Sequence, residues 1–360
     1  MGRLVGDTRE DRPRGEQRRA RRAARALLRA LALGLAITAH VAPVAAQGGQ
    51  APADTERPAD TEQAASETSD ARCPPSGPPG KKIFYGEAAP GQTSTVAIHF
   101  RDRGRDSVCT GVVITERHVL TAGHCACGSD YRLVFGPRAD EDGAVAIPIA
   151  RPRVLDGYDC RRSGADQPGR DLALVTFDPV LLGSPEQRAE RYTIAPITPP
   201  AIARRMSLDP GGQLKAVGYG LTETGGINEK RAASIPVLSW DCAERFATVR
   251  GCQPFTELML SELAQTALRP GGRYRDTCGG DSGGPVFAVS MEGDACGRPA
   301  RRGYLVAITS RGMRLLRSEP DKPCGGGGIY EVVARRSVLD WLARNGAVVD
   351  VRREVPRLPD

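Results

Sequence analysis

The sequence predicts an all-β fold, a barrel or a sandwich. Short β-branched, apolar runs recur from residue 83 onward, clusters of Gly, Pro and Asp separate them, and helical patterning is confined to two short stretches. The runs are Thr95–Phe100, Gly111–Thr115, Arg132–Phe135, Asp171–Phe177, Gln213–Gly218, Pro285–Val289 and Tyr304–Thr309. The clearer helix is expected over 337–344. Ser337 would be its N-cap, Val338, Leu339, Trp341 and Leu342 its apolar face, and Gly346 its stop. A second, weaker pattern covers Asp241–Val249, opened by Asp241. Residues 347–360 are charged, contain Pro356 and Pro359, and are assigned no structure.

The net charge of +7 resembles a polyanion-binding signature until it is located. Residues 1–46 contain ten Arg against four acids, residues 47–82 carry a balance of −2, and only +3 is left for residues 83–360. No nucleic-acid partner is therefore expected. Within 1–46 an Arg-rich stretch ends at Arg29, an apolar run covers Ala30 to Val44, and small residues follow at Val44-Ala45-Ala46. This is the order of an export signal. The run is about fifteen residues long and is interrupted by His40 and Pro43, too short for comfortable spanning. A secreted or periplasmic protein without a stable membrane span is expected. Residues 47–82 have almost no large apolar side chains and read as a flexible spacer, because they cannot bury enough surface to offset ordering entropy. The globular part is expected over 83–346, with 347–360 as a tail.

Ten cysteines, an even number, agree with export to an oxidising compartment. No paired Cys-x-x-Cys motifs with ligand spacing occur, and Cys125-x-Cys127 has the wrong spacing, so no metal is assigned.

The segment richest in chemistry is Gly280-Asp281-Ser282-Gly283-Gly284-Pro285. Small, turn-forming residues around one Ser make a tight turn that presents the hydroxyl and can aim backbone N–H groups at one point. A nucleophilic Ser needs a base. Of the four His, His124 lies in a small-residue turn, Thr121-Ala122-Gly123-His124-Cys125. Asp171 opens the apolar run Leu172-Ala173-Leu174-Val175, where a buried carboxylate requires a partner. Taken singly, each has an ordinary reading: a glycine-rich turn, a surface or core His, a strand-end Asp.

Together these words, with Ile83, resemble the trypsin/chymotrypsin-like serine peptidases over most of residues 83–345. They occur in that family's order, separated by 47 and 111 residues. The resemblance implies two six-stranded antiparallel β-barrels packed orthogonally, with a C-terminal α-helix. His124 and Asp171 would belong to the first barrel and Ser282 to the second. It also implies roles, in the arrangement that serves as the general template for this chemistry. His124 takes the proton of Ser282, Asp171 orients the imidazole, and the N–H groups of Gly280 and Ser282 hold the oxyanion. Ser310 supports Asp171 and the substrate backbone.

The same resemblance gives Asp276 as the carboxylate at the base of the primary pocket. Gly312 and Gly328 would be its wall glycines, selecting Lys or Arg. It implies a zymogen cut after Lys82, making 47–82 a propeptide, with the Ile83 ammonium pairing with Asp281. The resemblance further implies that Cys109 pairs with Cys125, Cys278 with Cys324 and, over a shorter loop than the family's, Cys242 with Cys252. Cys127 with Cys160 and Cys73 with Cys296 are the guesses for the rest. Arg311 stands where most members have an aromatic residue. It is either a cation favouring acidic residues upstream of the cut or a solvated surface Arg. Some relatives bind calcium near the stretch that here contains Asp140, Glu141 and Asp142, but no metal and no cofactor are assigned. Expected partners are polypeptide substrates and protein inhibitors, and the chain is expected to be a monomer. The alternatives are a non-catalytic binding protein of the same fold, a chaperone-protease with a trailing domain, and a cysteine-rich metal or interaction domain.

Overall fold

A computed structural model describes residues 85–162, 167–206, 212–262, 274–293, 299–313 and 324–355. The expected leader and spacer, with Lys82 and Ile83, lie outside the described residues, as do Cys73 and Cys296.

The chain is mostly β, in two barrel-like sheets with few helices. The first sheet contains β2 (Thr95–Asp102), β3 (Arg105–Thr115), β4 (His118–Thr121), β5 (Ser129–Phe135), β6 (Val145–Pro148), β7 (Arg153–Val154) and β8 (Ala173–Thr176). Its order is β6-β5-β2-β3-β4-β8-β7, all antiparallel. The second contains β9 (Gln213–Gly218), β10 (Arg231–Ser239), β11 (Glu257–Leu260), β12 (Pro285–Gly293), β13 (Pro299–Gly312) and β14 (Gly328–Val332). Strand β9 pairs with both β10 and β12 and closes these six into a ring, while the short β1 (Glu87–Ala88) is added outside on β10.

The expected six-stranded barrel therefore holds for the second sheet. The first has seven strands and remains an open half-barrel. Its two end strands are only four and two residues long. Pro148 is the last residue of β6 and Pro152 directly precedes β7, and neither has an N–H to donate to a closing ladder.

All seven predicted strand runs fall in or over strands. The first barrel is filled by Val96, Ile98, Val113, Val119, Leu133 and Val175, all fully buried. The second is filled around Leu214, Ile235, Leu258, Val286, Leu305 and Tyr330, and that cluster continues into Val112, Leu120 and Leu174 of the first sheet.

Four α-helices are described: α1 (Pro185–Arg191), α2 (Pro200–Met206), α3 (Arg245–Val249) and α4 (Arg336–Arg344). Helix α4 buries Val338, Trp341 and Leu342, as its periodicity predicts. Ser337 is not its N-cap. Arg335 occupies that position without a side-chain cap, because a guanidinium has no acceptor for the free helix N–H groups, and it donates instead to Val332 O, Gly169 O and Glu331 Oε2. The C-terminus is as expected: Gly346 has φ +80°, its N–H donates to Ala343 O, and the Ala347 N–H donates to Leu342 O, a Schellman closure.

The second expected helix is shorter than 241–249. Asp241 Oδ1 accepts the Ala243 N–H in an Asx-turn and Cys242 has φ +56°, so helix begins only at Arg245. The tail is not structureless either. Ile197 N donates to Asp350 O and Arg352 N to Ile197 O, docking the chain through Val351.

Candidate active site

Strand β4 ends at Thr121 and passes into a 3₁₀ turn over Gly123–Ala126, pinned to β3 by the Cys109–Cys125 disulfide. A Cβ on Gly123 would lie 3.0 Å from the Tyr158 ring and 3.1 Å from Asp171 Oδ1, so the turn packs closely on both. The His124 N–H donates to Asp171 Oδ1 at 2.8 Å, and His124 Nδ1 lies 2.9 Å from Asp171 Oδ2. An ionised carboxylate can only accept, so Nδ1 carries the proton and Nε2 is left with its lone pair free.

Asp171 is 1% exposed. Its Oδ2 accepts the Ser310 hydroxyl at 2.6 Å, and its own N–H donates to Glu331 Oε1 at 3.2 Å. Burial raises the Asp171 pKa, but the His124 charge, with hydrogen bonds from His124 and Ser310, outweighs it and leaves the carboxyl below the usual range. For His124, burial lowers the imidazole pKa and the Asp171 charge and hydrogen bond more than reverse this. The pair therefore favours a charged imidazolium once a proton reaches Nε2.

Ser282 sits on a turn held from several sides. Asp281 N donates to Cys278 O, Gly284 N to Asp281 O, and Gly283 N to Thr309 O. The Ser282 carbonyl accepts the Thr110 N–H at 2.8 Å and lies 3.6 Å from Cys125 Sγ. The Ser282 backbone is thus tied to the strand and the cysteine beside His124. Gly283 has φ +82°, and a Cβ there would lie 2.0 Å from Thr121 Oγ1. Only glycine lets the turn approach the first barrel this closely. Gly280 has φ +96°, and its carbonyl is taken by Thr110 Oγ1 at 2.9 Å. The N–H groups of Gly280 and Ser282 donate to none of the other described residues, leaving two free donors on the turn that carries Ser282.

Asp276 is 3% exposed and accepts backbone N–H groups of Thr277, Gly325 and Gly327. Burial pushes its pKa up to about 6 against these hydrogen bonds. It is not paired with Arg275, whose guanidinium binds Glu262. Gly312 and Gly328 face each other across β13 and β14. A Cβ on Gly312 meets nothing within 4 Å among the described residues, whereas one on Gly328 would lie 2.6 Å from the Tyr330 phenol oxygen. The Cys278–Cys324 disulfide joins the two loops around Asp276. Asp281 is buried and accepts N–H groups of Gly220 and Cys278, with burial pushing its pKa up to about 7.

Arg311 overturns both readings made of it. It neither faces solvent nor reaches outward. Its side chain is 13% exposed and grips Glu257 with both terminal nitrogens at 2.8 Å. Glu257, Glu331 and Arg335 were not anticipated, although Glu331 interrupts the otherwise uncharged buried strand Gly328–Val332, which was a readable signal. The Cys242–Cys252 and Cys127–Cys160 pairs also form as expected.

Among the described residues, one His/Cys group has metal-binding proximity, Cys109, His124 and Cys125, but both sulfurs are spent in the disulfide. No described helix is long and apolar enough to cross a membrane.

A family model described as Trypsin matches residues 83–342. The venom peptide isomerase heavy chain of Agelenopsis aperta is 25% identical, over 53% of this chain and 74% of its own. Serine protease 7 of Drosophila melanogaster is 28% identical, over 67% and 58% of the two chains. Human serine protease 56 is 30% identical, over 63% and 37%. Among solved structures, mouse neuropsin aligns with TM-score 0.47 at 18% identity, over 74% of this chain and 98% of its own.

Proposed function

Because the chain belongs to the trypsin family, we propose that it is a secreted serine endopeptidase acting through an acyl-enzyme, with Ser282 as nucleophile, His124 as base and Asp171 behind it. The observation that carries this reading is the hydrogen-bonded line Ser310–Asp171–His124 beside a Ser282 turn tied to the same barrel through Thr110.

His124 Nε2 takes the Ser282 hydroxyl proton as the oxygen attacks the peptide carbonyl. The oxyanion that forms is held by the N–H groups of Gly280 and Ser282. The imidazolium, stabilised by buried Asp171, then protonates the leaving amine. Water repeats the sequence on the acyl-enzyme and releases the acid.

Specificity for Lys or Arg before the cut rests on Asp276, largely ionised near neutral pH with its pKa at about 6, whose carboxylate accepts the Gly325 and Gly327 N–H groups just before the Gly328 strand. Zymogen activation after Lys82, with the Ile83 ammonium reaching Asp281, is supported by a buried Asp281 carboxylate that has only backbone donors among the described residues. Four disulfides among the described residues favour an oxidising compartment. Residues 1–46 would be the signal, 47–82 the propeptide, 83–346 the peptidase domain, and 347–360 a tail docked through Val351. Polypeptides are the proposed substrates and protein inhibitors the proposed partners, met by a monomer.

A fluorophosphonate probe tests the reaction. Wild-type chain cut after Lys82 is expected to label, and Ser282→Ala treated in the same way is expected to lose labelling and about 10⁶-fold in kcat while keeping its melting temperature. A Ser282→Ala protein that still hydrolyses peptides at the wild-type rate would falsify the assignment. A folded wild-type chain that neither labels nor cleaves after cutting at Lys82 would point instead to a binding protein of the same fold.

A further inference from the structure

Four charged side chains with little access to water lie behind Asp171. Glu257 and Glu331 are fully buried, and Arg311 and Arg335 are 13% and 12% exposed. They come from β11, β14, β13 and the residue before α4. Arg311 Nη1 donates to Glu257 Oε1 at 2.8 Å and to Ser310 Oγ at 3.2 Å, and Nη2 donates to Glu257 Oε2 and Gly251 O. The Ser310 hydroxyl in turn donates to Asp171, which holds His124 Nδ1. One hydrogen-bonded line therefore runs from Glu257 through Arg311, Ser310 and Asp171 to His124.

The same set grips the backbone that presents Asp171. Glu257 Oε1 accepts the Gly169 N–H at 2.9 Å, Arg335 Nη1 donates to Gly169 O at 2.8 Å, and Glu331 Oε1 accepts the Asp171 N–H. Buried ion pairs add little net stability over well-packed apolar side chains. Their placement here, all against residues 169–171 and Ser310, gives them a different use.

We propose that Arg311, balanced by Glu257, is a positioning residue for the hydrolysis put forward above. It fixes the Ser310 hydroxyl on Asp171 and sets the basicity of His124 Nε2. The inference rests on that functional reading, but its test does not require turnover. The other titratable or charged groups facing the Asp171–His124 pair are Tyr158 in the loop before β8, Glu331 on β14 and Arg335 before α4. Arg170, the chain neighbour of Asp171, turns its guanidinium toward Gly157 O.

The signs follow from charge. Arg311→Gln removes a cation and strands the Glu257 carboxylate, so the imidazolium is favoured and the His124 pKa rises. Glu257→Gln leaves an unbalanced guanidinium, and the pKa falls. Each shift is expected to be roughly half a unit to one unit. The double variant, with both charges gone, returns close to the parent. Arg311→Lys keeps the charge but loses the fork that reaches Ser310, so it lowers kcat at unchanged KM while leaving the imidazole pKa in place.

The experiment is an NMR titration of the His124 imidazole in the full chain carrying Ser282→Ala. Opposite shifts in the two single variants and cancellation in the double support the proposal. Shifts of one sign, or none, overturn it. If Arg311→Gln does not fold, Glu257→Gln decides: a lowered imidazole pKa supports the proposal, and an unchanged or raised one overturns it. A wild-type chain cut after Lys82 that still cleaves no peptide removes the peptidase reading, whereas unmoved imidazole titrations in an active enzyme remove only this one.

Discussion

Asp281 Oδ1 accepts the Gly220 N–H at 2.8 Å, and a Cβ on Gly220 would lie 2.6 Å from that carboxyl carbon. The carboxylate is enclosed by backbone, and the nearby cation Arg231 pairs instead with Glu223 and Glu229. Burial pushes the Asp281 pKa up to about 7. A pKa raised on folding contributes stability that is complete below the unfolded value and lost as pH rises through the folded one. The uncut chain, studied as Ser282→Ala to prevent self-cleavage, is therefore expected to lose stability between about pH 4 and pH 7, by up to roughly 4 kcal/mol from this group. Asp281→Asn removes this group's share of that slope and leaves the share of Asp276, whose pKa is raised to about 6. Cutting after Lys82 is expected to reduce the slope by the same share, if the freed Ile83 ammonium pairs with the carboxylate as proposed. Melting temperatures across this range check both, and an Asp281→Asn slope equal to that of the parent would remove Asp281 as the cause.

Asp276 offers a buried carboxylate with three backbone donors and no cationic partner among the described residues. Asp276→Ser is expected to lower kcat/KM for peptides with Lys or Arg before the cut by about two to three orders of magnitude, the scale of losing one partner of a buried pair. Peptides with Leu or Phe there should change little. In the parent, cationic substrates should also lose rate as pH falls through about 6, where Asp276 takes up a proton. Parallel losses on cationic and apolar peptides would show that this carboxylate does not read the substrate.

Gly283 tests the docking of the nucleophile turn. Its φ of +82° disfavours any L side chain, and a Cβ would lie 2.0 Å from Thr121 Oγ1 and 2.2 Å from Thr110 O. One contact is backbone and the other belongs to a buried β-branched residue, so neither gives way easily. Gly283→Ala is expected to cost more than about 3 kcal/mol and to abolish labelling of Ser282. Gly312→Ala, whose new methyl meets nothing within 4 Å among the described residues, is the control and should leave stability within about 0.5 kcal/mol. Equal melting temperatures for the two variants would refute the close approach.

The strands were legible because their apolar, β-branched runs are short and punctuated, and His124, Asp171, Ser310 and Ser282 were legible because each stands in a distinctive word. The structure joins His124, Asp171 and Ser310 by hydrogen bonds, while Ser282 is linked to the first sheet only through its backbone carbonyl, which accepts the Thr110 N–H. Helix α1 was equally readable and was passed over: Ser184-Pro185-Glu186-Gln187 is a capping box with Pro at the first turn. Arg311 was misread because a side chain's direction depends on its partner. Glu257 is 54 residues away in sequence, and no local pattern joins the two. The docked tail escaped for a similar reason, since its partner Ile197 lies on the far side of the second sheet's sequence. Local signals specify elements. Charge pairs between distant strands have to be seen.

The Cys127–Cys160 bridge links the end of the His124 turn to the loop that leads to Asp171, and Tyr158 in that loop packs on Gly123. Arg151 Nε reinforces the same junction by donating to Ala126 O at 2.9 Å. Closing 33 residues of chain reduces the entropy of the unfolded state, and Cys127→Ser/Cys160→Ser is expected to cost about 3 to 4 kcal/mol. Because the Cys109–Cys125 bridge still pins the turn to β3, the variant should fold and label, with kcat lowered more than KM is raised. Loosening between the turn and Asp171 acts on the imidazole's orientation, and the proposed pocket at Asp276 on the second sheet is left as it was. Thermal melts and steady-state kinetics of the double variant check this. A melting temperature equal to the parent's would show that the turn and the loop hold together without the bridge.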